Sequence, residues 1–257
     1  MSNINTNIQW TDRTWNPVTG CDRISLGCQH CYAEQITKRF SKAFPNGFDL
    51  TLHPERLKEP ISWKKPAKIF VNSMSDLFHE DVPFEFINRV MLTISKTPRH
   101  IYQVLTKRPE RMLQYFEIPK KKIFDGFLNF EDSLGTKHTF LDVSLLSNLW
   151  LGVSVEHQNY IKRIDYLRQI PAKVRFLSCE PLLGNLELDL TGIHWVIVGG
   201  ESGQNYRPMQ LEWAENIRSQ CKNAGVPFFF KQVGGRTPKA GGNLLNGKEY
   251  LNFPVVG

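Results

Sequence analysis

Leu149-Trp150-Leu151-Gly152-Val153-Ser154-Val155-Glu156 is the stretch whose reading decides the fold class. Almost unbroken hydrophobicity over so short a run, with branched and aromatic side chains, suits a strand buried on both faces. Ser154 and Glu156 then place polar groups at its carboxyl end. Five other runs share this character: Lys68–Asn72, Ile101–Thr106, Val174–Ser178, Trp195–Val198 and Pro227–Lys231. Amphipathic segments lie between them. Phe84, Ile87, Val90, Met91 and Ile94 follow helical spacing, with Asp81 and Pro83 placed as a start signal. Tyr160, Ile161, Ile164 and Leu167 form a second stripe, and Ala214, Ile217, Cys221 and Ala224 a third, which Gly225 closes as a C′ glycine. Strand alternating with helix predicts βαβ units in an α/β fold with a parallel sheet.

The functional signal lies at the carboxyl ends of these strands. They read Asn72-Ser73-Met74-Ser75-Asp76, Thr106-Lys107-Arg108, Ser154 with Glu156, Ser178-Cys179-Glu180, Gly199-Gly200-Glu201-Ser202 and Lys231-Gln232. One polar end is ordinary turn chemistry, but a whole series of them is expected where a ligand sits at the carboxyl edge of a parallel sheet. Residues 117–148 fit the alternation poorly and read as an insertion. The tail from about residue 235, rich in Gly and Asn, reads as irregular, and residues 1–257, insertion and tail included, read as a single domain.

The composition, with 41% hydrophobic and 22% charged residues, is that of an ordinary globular protein. A net charge of +7 points to an anionic partner. No apolar run approaches the roughly 20 residues a bilayer span needs. Met1 to Gln9 is polar and lacks the apolar core of a signal peptide. The expectation is a cytoplasmic protein with no membrane partner and with reduced thiols.

Three of the five cysteines fall in Thr19-Gly20-Cys21-Asp22-Arg23-Ile24-Ser25-Leu26-Gly27-Cys28-Gln29-His30-Cys31-Tyr32. The two-residue gap between Cys28 and Cys31 lets both sulfurs face one metal centre, and Gly27 permits a tight turn before them. Three readings stand. The thiols are unrelated core residues; or they form a structural zinc site, which needs a fourth ligand such as His30 or His53; or they hold a [4Fe–4S] cluster with one iron left open. Most clusters use four cysteines, so three leave a position for a small molecule. S-adenosylmethionine fits there through its amino and carboxylate groups. An electron passed into its sulfonium breaks a carbon–sulfur bond and yields a 5′-deoxyadenosyl radical.

Motifs along nearly the whole chain carry a resemblance. They are Trp10-Thr11, Thr14-Trp15-Asn16-Pro17-Val18-Thr19-Gly20-Cys21, Cys28-Gln29-His30-Cys31-Tyr32-Ala33-Glu34, Asn72-Ser73-Met74-Ser75-Asp76-Leu77-Phe78, Leu105-Thr106-Lys107-Arg108-Pro109, Trp150 to Glu156, Glu180-Pro181-Leu182-Leu183-Gly184, Gly199-Gly200-Glu201-Ser202-Gly203 and Phe230-Lys231-Gln232. On these the chain resembles the radical S-adenosylmethionine superfamily, and more closely a phage- and prophage-associated branch of unassigned function. The common superfamily loop is spaced C-x3-C-x2-C, whereas this one is C-x6-C-x2-C.

The resemblance implies a partial (β/α)6 TIM-like barrel with helices outside and the cluster loop after the first strand. It implies Cys21, Cys28 and Cys31 as cluster ligands, with an electron donor such as flavodoxin or ferredoxin. It also implies S-adenosylmethionine contacts at His30, at Ser75 and Asp76, at Ser154, Glu156 and Arg163, and along Gly199, Gly200 and Glu201. Lys107, Arg108, Glu180, Lys231 and Gln232 have no generic cofactor role in the superfamily and are expected to meet the substrate. The two cations Lys107 and Arg108 suit an anion such as phosphate, and the net charge of +7 with the resemblance to a phage-associated branch makes nucleic acid or a nucleotide the expected substrate class. Cys179 is either a radical-relay thiol or a small core residue. Two alternatives remain open: a zinc-stabilised nucleic-acid-binding protein without catalysis, and a structural or sensing iron–sulfur protein.

Overall fold

The computed structural model describes residues 6–124, 129–131, 137–139, 146–237 and 239–255. In chain order the strands are β1 (Arg13–Trp15), β2 (Val18–Thr19), β3 (Thr51–Leu52), β4 (Lys68–Val71), β5 (Ile101–Thr106), β6 (Asn129–Glu131), β7 (Lys137–Thr139), β8 (Leu149–Ser154), β9 (Val174–Cys179), β10 (Trp195–Gly199) and β11 (Phe228–Gln232). The helices are α1 (Tyr32–Arg39), α2 (Glu59–Ser62), α3 (Phe84–Ser95), α4 (Pro109–Phe124), α5 (Arg163–Arg168) and α6 (Leu211–Ala224).

Seven strands pair in parallel in the order β1-β4-β5-β8-β9-β10-β11, which is also their order in the chain. No step reverses direction, so crossovers of one hand put their helices on the same face and the sheet curls over the other. The product is the expected partial TIM-like barrel, with β1 and β11 as its edges. Arg13–Trp15, ahead of the cysteines, supplies the first strand, and the six apolar runs supply the rest.

Boundaries differ from the sequence reading by a residue at several ends. Asn72 leaves β4 because it turns left-handed, with φ 59°. Gly225 takes φ 67° at the end of α6, where its lack of a Cβ makes that conformation cheap. The Tyr160–Leu167 stripe is split into a 3-10 turn, Gln158–Tyr160, and the short α5. Within 117–148, α4 runs on to Phe124 and β6 pairs antiparallel with β7. Residues 125–128, 132–136 and 140–145 of that expected insertion lie outside the described residues.

Side chains alternate across each strand, and the two faces have different roles. One face carries Ile69, Val71, Val104, Leu151, Val153, Leu177, Val196 and Val198. These pack in one cluster with Ile87, Val90, Met91 and Ile94 of α3, Ile164 and Leu167 of α5, and Ala214 and Ile217 of α6. The other face carries Phe70, Trp150, Phe176, Trp195 and Phe229, which form a second, largely aromatic cluster with Trp10. Trp195 is its hub, with ring centroids 6.0 Å from Trp150, 5.8 Å from Phe176 and 6.0 Å from Phe229.

The tail is tied to the barrel. Phe230 N–H donates to Tyr250 O at 2.7 Å, covering part of the β11 edge. Trp195 Nε1 donates to Asn252 O at 2.8 Å, and Phe253 lies 5.1 Å from the Trp195 ring. Lys68 Nζ of β4 stands 4.8 Å over the Phe253 ring, so the tail spans the concave floor.

Gly152 shows how tightly this face is filled. A Cβ there would lie 2.5 Å from the Phe176 ring. Gly152→Val is therefore expected to lower stability by about 1–3 kcal/mol through overpacking. Equilibrium denaturation checks this, and the Gly152→Val/Phe176→Leu pair should lose less than the sum of the single variants.

Candidate metal centre

The cysteine loop runs from the end of β2 to the start of α1 and crosses the carboxyl mouth of the half-barrel. Its entry is fixed from β4. Gly20 has φ 83°, and a Cβ on it would meet Asp49 O at 2.1 Å, so the position requires glycine. Gly20 N–H donates to Met74 O at 3.0 Å, and Ser75 Oγ donates to Val18 O at 2.9 Å. Asn16 Oδ1 accepts from Met74 N–H at 3.0 Å. Ser75 thus serves the path of the loop.

The middle of the loop is a 3-10 turn, Leu26–Cys28, and it rests on a buried carboxylate. Glu156, fully buried at the end of β8, accepts a short hydrogen bond from Ser25 Oγ. Its other oxygen accepts from Arg163 Nη1 at 2.9 Å, and the same nitrogen donates to Ser154 O at 2.8 Å. Glu156 is therefore engaged between the loop and α5. This geometry also corrects the role expected of Gly27. Its φ is not positive; the need for glycine comes from Glu156 Oε1, which would lie 2.8 Å from a Cβ.

Further ties come from residues with no local sequence signal. Leu26 N–H donates to Tyr160 Oη at 3.0 Å. Arg207 Nη1 donates to Leu26 O at 3.0 Å and Gln29 Oε1 at 3.3 Å, while Glu201 grips the rest of that guanidinium. Arg207 and burial act in opposite senses on Glu201, and the arginine wins, holding its carboxyl below the usual range. His30 lies near enough to Glu201 to add to that lowering. His79, buried, accepts at Nδ1 from Asp81 N–H at 3.2 Å, so its Nε2–H donates to Asp22 Oδ2 at 3.0 Å.

Cys21, Cys28 and Cys31 are each part-exposed and free. Burial and Asp76 push the Cys21 thiol up to about 11 against the opposing charge of Arg108. Burial raises Cys28 too, but the Lys107 charge and a hydrogen bond from Ser25 outweigh it and leave that thiol lowered. Cys179 and Cys221 are buried, and burial raises both, Cys221 to about 12. The inert, apolar setting of Cys179 is that of a core residue.

Below the loop, inward side chains at the strand ends form a polar belt above the aromatic floor. Lys107 Nζ donates to Ser154 Oγ at 3.2 Å. Ser178 Oγ donates to Glu180 Oε1 at 3.2 Å, and Lys231 Nζ stands 2.8 Å from Glu180 Oε2. Gln232 instead supports the end of β10, donating to Gly200 O at 3.0 Å and Ser202 Oγ at 2.6 Å. Gly199 and Gly200 are sites of close approach: a Cβ would lie 3.0 Å from Glu180 Oε2 and 1.8 Å from Val233 O, respectively. Asp76 accepts from Thr106 Oγ1 at 2.7 Å, Lys107 N–H at 2.9 Å and Phe78 N–H at 3.0 Å, locking the ends of β4 and β5 together. Arg108 turns away from the belt, toward Cys21 and Asp76, each 3.4 Å from Nη1.

Among the described residues, no three His, Cys, Asp or Glu converge closely enough to hold a single metal ion. A zinc ion with bonds of about 2.3 Å would need sulfurs about 3.8 Å apart. His53, a candidate fourth ligand, is taken by Thr19 Oγ1 at 2.8 Å and lies 3.3 Å from Glu55. A larger cluster suits the donor set better. Three thiols stand on one loop, and the guanidinium beside Cys21 is oriented to compensate thiolate charge and has a buried nitrogen without a partner among the described residues.

The fold and site define a half-barrel α/β protein with a three-thiol loop across its carboxyl mouth. The chain belongs to the family described as "Protein of unknown function (DUF5131)", whose model matches residues 5–254. No curated protein matches the sequence. Two solved structures are similar. One is spore photoproduct lyase complexed with dinucleoside spore photoproduct, at 11% identity and TM-score 0.42, covering 79% of this chain and 58% of that one. The other is a mutant of spore photoproduct lyase with bound AdoMet and dinucleoside spore photoproduct, at 10% identity and TM-score 0.42, covering 80% and 60%. This chain thus spans about three-fifths of the length of the solved chains it matches. No helix among the described residues is long and apolar enough to cross a membrane.

The metal-free chain is expected to show two behaviours. Cys28, with its lowered pKa, has more thiolate than Cys21 at any pH from 7 to 9 and is alkylated before Cys21, as peptide mapping would show. Gly27→Ala drives a methyl group into Glu156, so the loop shifts and Cys28 alkylation quickens several-fold while Cys221 stays protected.

Proposed function

We propose that this chain is a radical S-adenosylmethionine enzyme that holds a [4Fe–4S] cluster on Cys21, Cys28 and Cys31 and modifies an anionic substrate, with nucleic acid or a nucleotide as the favoured class. One observation carries the reading. Three part-exposed thiols stand on a single loop that Glu156, Arg207 and Tyr160 fix across the carboxyl mouth of a parallel half-barrel. That is where such folds assemble their sites. When bound, cluster and cofactor together supply reductive cleavage of the sulfonium carbon–sulfur bond, chemistry that the protein orients and does not itself perform.

The chain's own residues then divide by task. Cys21, Cys28 and Cys31 would bind the metal, leaving one iron for the amino and carboxylate groups of S-adenosylmethionine. Ser154 and Lys107, whose charge acts on Cys28, would meet the cofactor from the wall below. Glu180 and Lys231 would take the polar part of the substrate, the ammonium pairing with its anionic group. Glu156, Arg163, Ser75, Asp76, Glu201, Gly199, Gly200 and Gln232 would act by holding the loops in place. A low-potential donor such as flavodoxin or ferredoxin would supply the electron.

Anaerobic purification is expected to give a brown protein with iron and sulfide, bleached by dithionite. Reductive incubation with S-adenosylmethionine should release 5′-deoxyadenosine. Cys28→Ala should abolish the release, and Cys221→Ala, in the core of α6, should not. A colourless protein carrying stoichiometric zinc would overturn the reading.

A further inference from the structure

Arg108 is the residue whose surroundings the proposed function leaves unexplained. It lies at the end of β5 with its side chain only 10% exposed, and its Nη1 reaches both Cys21 Sγ and Asp76 Oδ2 at 3.4 Å. Its Nη2 is buried and has no hydrogen-bond partner among the described residues. A buried guanidinium nitrogen left bare is costly, so such a group implies an acceptor at that position. Asp76 is not that acceptor, because its oxygens are already filled by Thr106, Lys107, Phe78 and Nη1. Nor is Arg108 needed to hold Asp76, which keeps three other donors. The Cys21 sulfur and the Asp76 carboxylate both face the same nitrogen of the guanidinium. Arg108 is the cation placed against both.

We infer that Arg108 sets the reduction potential of the metal centre by donating hydrogen bonds to the Cys21 thiolate through Nη1 and to an adjacent cluster sulfur through Nη2. The inference rests on the proposed cluster and adds to it a residue that no ligand motif identifies. Reduction adds one electron to a centre that already bears negative charge. A buried cation with N–H groups on its sulfurs favours the reduced state over the oxidised one, so it raises the potential. This is a positioning and tuning role: Arg108 acts through the cluster, and its place near Cys21 sets it apart from the substrate-facing Lys231.

The test is a mediated redox titration of the full-length, anaerobically reconstituted chain, followed by visible absorbance and by electron paramagnetic resonance of the reduced state. Arg108→Gln, which removes the charge, is expected to make reduction about tenfold less favourable, a downward shift of about 59 mV for a one-electron couple. Arg108→Lys, which keeps the charge and loses the fork, should fall between wild type and Arg108→Gln. Lys248→Gln, which removes an exposed charge from the tail, should leave the potential unchanged. If Arg108→Gln assembles no cluster, Arg108→Lys decides: a potential equal to wild type overturns the inference. An Arg108→Gln potential equal to wild type, or an equal shift from Lys248→Gln, does the same. A wild-type chain that assembles no iron–sulfur cluster overturns the proposed function itself, which separates the two failures.

Discussion

The whole candidate site depends on one buried carboxylate. Glu156 follows β8 by two residues, has no solvent exposure, and divides its two oxygens between Arg163 and Ser25. An ionised carboxylate in that position is tolerable only with such partners, because burial without them would cost several kcal/mol. The pairing makes the loop and the barrel one object. Remove Ser25 and a buried acceptor is left bare; remove Arg163 and a buried charge is. Gly27 belongs to the same constraint, since any larger residue would occupy the space that Glu156 fills.

Around that anchor the barrel separates stability from chemistry along each strand. The outward faces bury aliphatic side chains under α3, α5 and α6, which is where most of the folding energy lies. The inward faces begin in aromatic rings and end in Lys107, Ser154, Ser178, Glu180 and Lys231. A single strand shows the gradient: in β8, Trp150 fills the floor, Gly152 yields to the Phe176 ring, and Ser154 meets Lys107. Charged groups can stand at the upper level because each has a partner at hydrogen-bonding distance.

Much of this was legible in the sequence because it is written in local periodicity. The six apolar runs became strands, two of the three helical stripes became the helices α3 and α6, and the third became a 3-10 turn followed by α5; Gly225 took the left-handed conformation its position suggested. The cysteine triplet was visible as a cluster of one residue type. The illegible part depends on contacts between distant segments. Ser25 and Glu156 are 131 residues apart, and Arg207 meets Leu26 from 181 residues away. No window of sequence pairs them. The requirement for Gly27 likewise belongs to a neighbour in space, and so does the turn of Arg108 toward Cys21, which its strand-end position alone could not distinguish from the belt.

The tail that looked featureless has a consequence for traffic. Phe253 and the rings around Trp195 close the amino-terminal end of the concave side, and Lys68 covers Phe253 from β4. With that end filled by rings, the polar approach to the inner wall lies at the carboxyl mouth, which the thiol loop crosses.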